Sequence, residues 1–269
     1  GVHDEPQHVK QGKITLPLLD AMGIRHEILS QDETEFRSQL DGAVRHMSET
    51  GEAFAFIVRK NTFEPYTLQR HEVNEYPLSR EEAIQKVAAS LSAKDVIVST
   101  TGMISRELFE YRTAQGQGHE RDFLTVGSMG HASQIALGIA LEKTDRRVWC
   151  FDGDGAALMH LGSVAIIADK APENFVHVIF NNGAHDSVGG QPTVGLKVNL
   201  AGIAKAAGYK DAVSVTTAED LGSALKVLKT MRGPVLLEVR VHRGNRKDLG
   251  RPTTTPIQNR DALMEFMGQ

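Results

Sequence analysis

Cysteine occurs once in the 269 residues, at Cys150, so no internal disulfide is possible. A chain with so little cysteine fits a reducing compartment. Cys150 lies inside an apolar run, where a thiol is expected to fill a core rather than to react. Long apolar runs are lacking too. No stretch approaches the roughly 18 residues that a membrane helix needs, and no signal-peptide pattern opens the chain. The expected setting is the cytoplasm, with no membrane partner. Net charge is only -4, which gives no reason to expect a nucleic-acid partner. There is no internal repeat and no low-complexity tract. Neither GxGxxG nor GxxxxGK[ST] occurs, which counts against a nucleotide-binding α/β protein of the usual kinds. What remains is an ordinary globular composition, 41% hydrophobic and 24% charged. The length suits one or two domains with a large core.

Two short groups stand out against this background, Gly153-Asp154-Gly155 and Asn181-Asn182. The first follows the apolar run Arg147 to Phe151, and the second follows Val176 to Phe180. Both runs read as buried strands bounded by turn residues. Roughly two dozen residues separate the groups, including an apolar, helix-like segment from Leu161 to Ala168. That is a βαβ unit, whose right-handed crossover joins parallel strands. Asp154 and Asn182 are then expected at the carboxyl ends of two parallel strands, where open α/β sheets bind ligands. Turns rich in Gly, Asp and Asn are common, and either group alone would read as one. The ordered pair, each member directly after a buried strand, points instead to a metal-held diphosphate. Mg²⁺ takes hard oxygen ligands and completes its shell with phosphate oxygens. One Asp, one Asn amide oxygen and a nearby carbonyl suit it. Glycines let the backbone approach a diphosphate closely, and a helix N-terminus offers it N–H donors.

Along the chain, helices are expected at about Leu16–Met22, with Pro17 in the first turn, and at Thr34–Glu49 behind an Asp32 cap and before Gly51. A strand is expected at Ala53–Val58, then a linker through Pro65 and the polar residues Thr67 to Glu75. Ser79-Arg80-Glu81-Glu82 resembles a capping box that opens the next helix. Strands at Val96–Ser99, Ala212–Val215 and Val235–Arg240 then alternate with helices at Ser105–Tyr111, Ala132–Leu141, Leu200–Ala207 and Ala218–Met231, and a last helix follows Gln258. This alternation predicts a mostly parallel sheet with helices on both faces.

GDG followed by NN resembles the signature of thiamine diphosphate (ThDP) enzymes. The words SMGHAS at 128–133, NNGAHDSVGGQPTVG at 181–195 and DLGRPTTTP at 248–256 resemble the phosphonopyruvate decarboxylase family, with sulfopyruvate decarboxylase its close relative. The likeness covers nearly the whole chain, including Asp4 to His8, for which no mechanism is assigned. It implies a ThDP-binding fold with ThDP and Mg²⁺ as cofactors. The expected divisions are 1–60 for the C-terminal part of the pyrimidine-binding domain, 61–78 for a linker and 79–269 for the diphosphate- and Mg-binding domain. In the family a glutamate at the front of the pyrimidine-binding domain activates the ring, and no residue here matches it. The chain is therefore expected to be a fragment, or one subunit of a split enzyme, with a homo-oligomeric or separate partner supplying that glutamate.

Carried over motif by motif, the resemblance implies that Asp154, Asn182 and the Ala184 carbonyl ligate Mg²⁺, beside Gly153. Gly155 and Ala156 would give backbone N–H groups to the diphosphate, and Thr101-Gly102 would form a second diphosphate turn. In the turn Gly127-Ser128-Met129-Gly130, Met129 is implied as the apolar wedge that bends the cofactor, and the Gly127 carbonyl as the acceptor from its amino group. A methionine is also a routine core filler. His185, beside Asp186, can relay a proton near neutral pH, and His131 is a further candidate contact to substrate. Arg246 and Arg251, in the cationic segment from Arg243, are candidates for binding a dianionic phosphonate or sulfonate. The implied activity is decarboxylation of the small anionic 2-oxo acid 3-phosphonopyruvate to phosphonoacetaldehyde and CO₂. The alternatives are sulfopyruvate decarboxylation, or a non-catalytic ThDP-binding subunit of a split enzyme.

Overall fold

Strands whose side chains are apolar on both faces must be covered on both faces. The computed structural model, which describes residues 8–67 and 75–268, forms them into the larger of two compact units, Gly1–His71 and Glu72–Gln269. The word at Asp4 to Gln7 and most of the polar segment after Thr67 lie outside the described residues.

The first unit contains α1 (His8–Ala21), β1 (Arg25–Ile28), α2 (Glu33–Thr50) and β2 (Phe54–Ile57), with the two strands paired in parallel. Helix α2 starts where the Asp32 carboxylate accepts from the Glu35 N–H and stops at Gly51, whose φ of 72° needs no Cβ. Strand β1 is an element the sequence pattern does not show, because Arg25-His26-Glu27-Ile28 lacks apolar alternation. Helix α1 begins eight residues before the expected Leu16, which puts Pro17 inside it rather than in its first turn. Only Leu29 and Ala43 are buried apolar residues among those described in this unit, while Leu16, Leu18, Val44 and Met47 are exposed.

In the second unit α3 (Arg80–Ser90), β3 (Val96–Ser99), α4 (Met103–Ala114), β4 (Asp122–Leu124), α5 (Ala132–Glu142) and β5 (Val148–Gly153) come first. They are followed by α6 (Asp154–Met159), α7 (Ser163–Lys170), β6 (Phe175–Asn181) and the short hairpin β7 (Ala184–His185) and β8 (Gln191–Pro192). Last come α8 (Leu200–Ala207), β9 (Asp211–Val215), α9 (Ala218–Leu228), β10 (Val235–Arg240) and α10 (Pro256–Gly268). Six strands make one parallel sheet in the order β4-β3-β5-β6-β10-β9. The expected helix at Leu161–Ala168 is α7, and a further short helix, α6, precedes it directly after β5; β4 was too short to announce itself by pattern. The Ser79 capping box is present, with side chain and backbone bonds in both directions between Ser79 and Glu82. No helix among the described residues is long and apolar enough to cross a membrane.

Side chains of β5 alternate between the two core layers. Trp149 and Phe151 face one, and Val148 and Cys150 face the other, all at 0% exposure. After β3 the chain moves outward to β4, then returns to lay β5 on the other side of β3. The carboxyl ends of β3 and β5 therefore flank a topological switch point, the crevice where such sheets bind ligands.

The edge strand that carries the Gly127 turn is anchored by one buried amide. Asn259 of α10 accepts from the Leu124 N–H at 2.9 Å and donates to the Asp122 carbonyl at 2.7 Å. Asn259→Ala leaves both backbone groups buried and unpaired, and we expect a loss of about 1–3 kcal/mol in urea unfolding. A loss well below that range would mean that water replaces the amide.

Candidate cofactor-binding site

At that switch point four strand ends open into one cleft. Thr100, Thr101 and Met103 come from the end of β3, Met129 from the turn after β4, Gly153 to Ala156 from β5, and Asn182 to Ser187 from β6. Helices α4 and α6 both begin here, and no side chain caps either one, so their first N–H groups are donors suited to an anion. Gly102 before α4 has φ 99°, which only glycine adopts readily.

Asp154 is buried, and among the described residues no Lys or Arg forms a salt bridge with it. Burial raises its pKa above the usual carboxylate value, partly offset by hydrogen bonds from the Thr193 hydroxyl and backbone amides and by His185. Gly195 presses against the same carboxylate, where a Cβ would fall 2.4 Å from Oδ2. A buried anion with no cationic side chain beside it fits a divalent cation, and the donors at hand are hard oxygens of Asp154, Asn182 and the Ala184 carbonyl.

The two asparagines divide their work, because successive strand residues face opposite ways. Asn181 points into the scaffold, donating to Glu238 Oε1 at 2.6 Å and the Gly195 carbonyl at 3.0 Å. Asn182 faces the cleft. Its Nδ2 donates to Asp186 Oδ2 at 2.6 Å, and its Oδ1 accepts from the Ala184 N–H at 3.0 Å. Asp186 Oδ2 also accepts from Arg80 Nη1 and the Gly244 N–H, each at 3.0 Å. Arg80 in turn forks onto Glu107, with both contacts at 2.8 Å. Burial works against the Arg80 charge, but the two carboxylates outweigh it and raise its pKa. Arg80, Glu107 and Asp186 thus hold the metal-side loop, and Arg80 is the cation that lines the cleft.

Gly155 is where the pieces meet. A Cβ there would lie 2.4 Å from His185 Cε1 and 3.3 Å from Met129 Cε. The wedge candidate and the half-buried histidine therefore close on one bare backbone position. The turn that presents Met129 has positive φ at Gly127 (72°), Ser128 (45°) and Gly130 (89°), and Ser128 is strained because it carries a Cβ. The Gly127 N–H donates to Thr101 Oγ1 at 3.3 Å, which ties the two diphosphate-side turns together.

Three expected substrate contacts are not brought to the cleft. His131 is exposed and packs on His160, with ring centroids 4.3 Å apart. Arg246 is engaged by Glu81, Glu110 and Asp248, and Arg251 does not line the cleft. Charge alone could not tell these arginines from Arg80, which lay hidden inside a helix-capping sequence.

With this geometry in view, comparison places the chain. Residues 100–239 match the family of the thiamine pyrophosphate enzyme C-terminal TPP binding domain. Phosphonopyruvate decarboxylase of Streptomyces viridochromogenes is 32% identical over 96% of this chain and 67% of its own length. Sulfopyruvate decarboxylase subunit beta of Methanocaldococcus jannaschii is 39% identical over 56% of this chain and 77% of its own. Benzoylformate decarboxylase of Polynucleobacter necessarius superposes with a TM-score of 0.52 at 17% identity, over 72% of this chain and 38% of that one. That last likeness concerns the fold alone. The chain belongs to the thiamine pyrophosphate enzymes, in the family of the phosphonopyruvate decarboxylases. It spans about two thirds of the length of that curated relative and under two fifths of the solved one.

The raised pKa of Asp154 has a consequence for the protein without ligands. A carboxyl group whose folded pKa lies above its unfolded value favours folding below the unfolded pKa, and that contribution is lost as pH rises through the folded pKa. Without Mg²⁺ and ThDP, Asp154→Asn is expected to melt above the wild type at pH 7, with the gap closing as pH falls through the carboxylate range. Calorimetry across that range would contradict this if the variant melted lower at neutral pH.

Proposed function

We propose that the protein is the diphosphate-binding part of a ThDP- and Mg²⁺-dependent decarboxylase that converts 3-phosphonopyruvate to phosphonoacetaldehyde and CO₂. The observation that carries the reading is the meeting of Asp154, Asn182 and Ala184 with two uncapped helix starts at one cleft. The identity with the Streptomyces relative over nearly the whole chain supports the substrate. When bound, ThDP supplies an electron sink for the pair left behind as CO₂ departs.

The chain's own residues would then act as follows. Asp154, the Asn182 amide oxygen and the Ala184 carbonyl hold Mg²⁺ and through it the diphosphate. Gly155 and Ala156 add backbone N–H groups, and Thr101-Gly102 closes the other side. Met129 would pack against the cofactor as an apolar support, and the Gly127 carbonyl would accept a hydrogen bond from its amino group. His185 lies where a proton can be given or taken at the cleft. Among the described residues lining the cleft, Arg80 is the one guanidinium, and it is paired with Asp186 and, behind the cleft, with Glu107. Residues 1–60 fit the tail of a pyrimidine-binding domain, with Leu16, Leu18, Val44 and Met47 exposed on it.

Sulfopyruvate is the second reading, because a beta subunit that acts with a partner is the relative with 39% identity. Residues 1–269 alone are expected to bind ThDP weakly and release no CO₂. Adding the segment that carries the activating glutamate, fused or as a partner chain, should restore activity. Phosphonoacetaldehyde and sulfoacetaldehyde are measured in parallel with each 2-oxo acid. Turnover of sulfopyruvate alone would transfer the assignment to the second reading. Full activity from residues 1–269 alone would refute the missing-glutamate reading.

In the completed enzyme Met129→Ala should lower kcat by at least ~10-fold while ThDP affinity changes much less, since misplaced reacting atoms mainly cost rate. Equal losses in both would make Met129 a packing residue.

A further inference from the structure

A second polar cluster lies in the core behind the cleft, and the proposed reaction does not use it. Cys150 and Asp152 are two apart on β5 and so face the same side of the sheet, and His177 of β6 is the direct neighbour of Cys150 in register. All three are at most 1% exposed. A sulfur, a carboxylate oxygen and a ring nitrogen there all lie within 4.8 Å of one another. The hydrogen bonding of this group is incomplete. Asp152 Oδ1 and His177 Nδ1 have no partner, nor does the nearby Tyr209 hydroxyl. His177 Nε2 stands 3.4 Å from Asp152 Oδ2. That is long for a charge-assisted hydrogen bond. It equals the edge of a tetrahedron around a zinc ion, where bonds of about 2.0–2.3 Å put neighbouring ligand atoms about 3.3–3.8 Å apart.

We propose that Cys150, Asp152 and His177 bind one zinc-class divalent cation, with a buried water held by the Tyr209 hydroxyl as fourth ligand. Thiolate, imidazole and carboxylate form a ligand set for a borderline-soft metal, unlike the all-oxygen set at Asp154. Charge balance favours the same answer. One thiolate, one carboxylate and a neutral imidazole around a dication sum to zero, which a site without exposure requires. Burial by itself raises the Cys150 thiol well above its usual value, and a coordinated cation reverses that by displacing the proton to solvent. The ion would join β5 to β6 directly below Asp154 and Asn182, fixing the separation of the two strand ends that hold the diphosphate metal.

The test uses residues 1–269 purified without chelator from zinc-supplemented cells. Mass spectrometry of the metal content should find about one zinc per folded chain, retained through EDTA dialysis. Cobalt-loaded protein should show a near-ultraviolet thiolate-to-cobalt absorption band. Cys150→Ser should lose that band and at least ~10-fold of the zinc, whereas Asp154→Asn should keep both, which separates this site from the diphosphate site. Folded wild-type protein with far less than one zinc and no cobalt–thiolate band would overturn the proposal. Zinc lost in Asp154→Asn or kept in Cys150→Ser would overturn it as well. If Cys150→Ser does not fold, the zinc content and cobalt spectrum of the wild type decide.

Discussion

The parallel pairing of β5 with β6, from Val148 opposite Phe175 to Gly153 opposite Phe180, is the constraint on which the rest depends. Register in such a pair is set by burial on both faces, because a slip of one residue would turn every side chain to the wrong layer. Trp149 and Phe151 on one face and Cys150 on the other hold β5, while Val176, Val178 and Phe180 hold β6. In this register Gly153 stands opposite Phe180, so Asp154 and Asn182 leave adjacent strands within one residue of each other.

A chain of polar contacts transmits that position to the loop beyond it. Glu107 of α4 fixes Arg80 of α3, Arg80 fixes Asp186, and Asp186 fixes the Asn182 amide by accepting from its nitrogen, while the amide oxygen accepts from the Ala184 N–H. Ligand-orienting partners of this kind matter nearly as much as the ligands. Burying three charges in such a network is a poor source of stability, since desolvation offsets most of the attraction. Its value is geometric, because one planar guanidinium satisfies two carboxylates from distant parts of the chain.

Much of this was legible in the residues. The sheet strands at Val96–Ser99 and Val235–Arg240, the helix at Leu200–Ala207, the Asp32 and Ser79 caps and the GDG–NN pair all announce themselves locally, through apolar runs and turn residues. What escaped is what depends on contact across the chain. Strand β1 is polar by sequence and exists through its pairing with β2. Arg80 has no local mark of function, while its partner Glu107 lies 27 positions away and Asp186 lies 106 away. Arg246 carried the stronger local signal, a dense run of cations, yet neighbouring carboxylates occupy it.

The cleft gathers groups that the fold holds at a cost. Asp154 is buried without a cationic side chain beside it, Ser128 sits at φ 45°, and Gly155 leaves its backbone bare against His185. None of these helps the protein fold, and each would be relieved or used by a bound cation and an anionic cofactor. The offsetting stability lies in the two apolar layers on either side of the sheet, which need no ligand. Local rules broken together at one cleft, with the rest of the domain obeying them, are the physical mark of a binding site. On that argument the cleft is shaped for a ligand whatever the 2-oxo acid proves to be, because a fold selected for stability alone would place a neutral residue in the position of Asp154 and a glycine in that of Ser128.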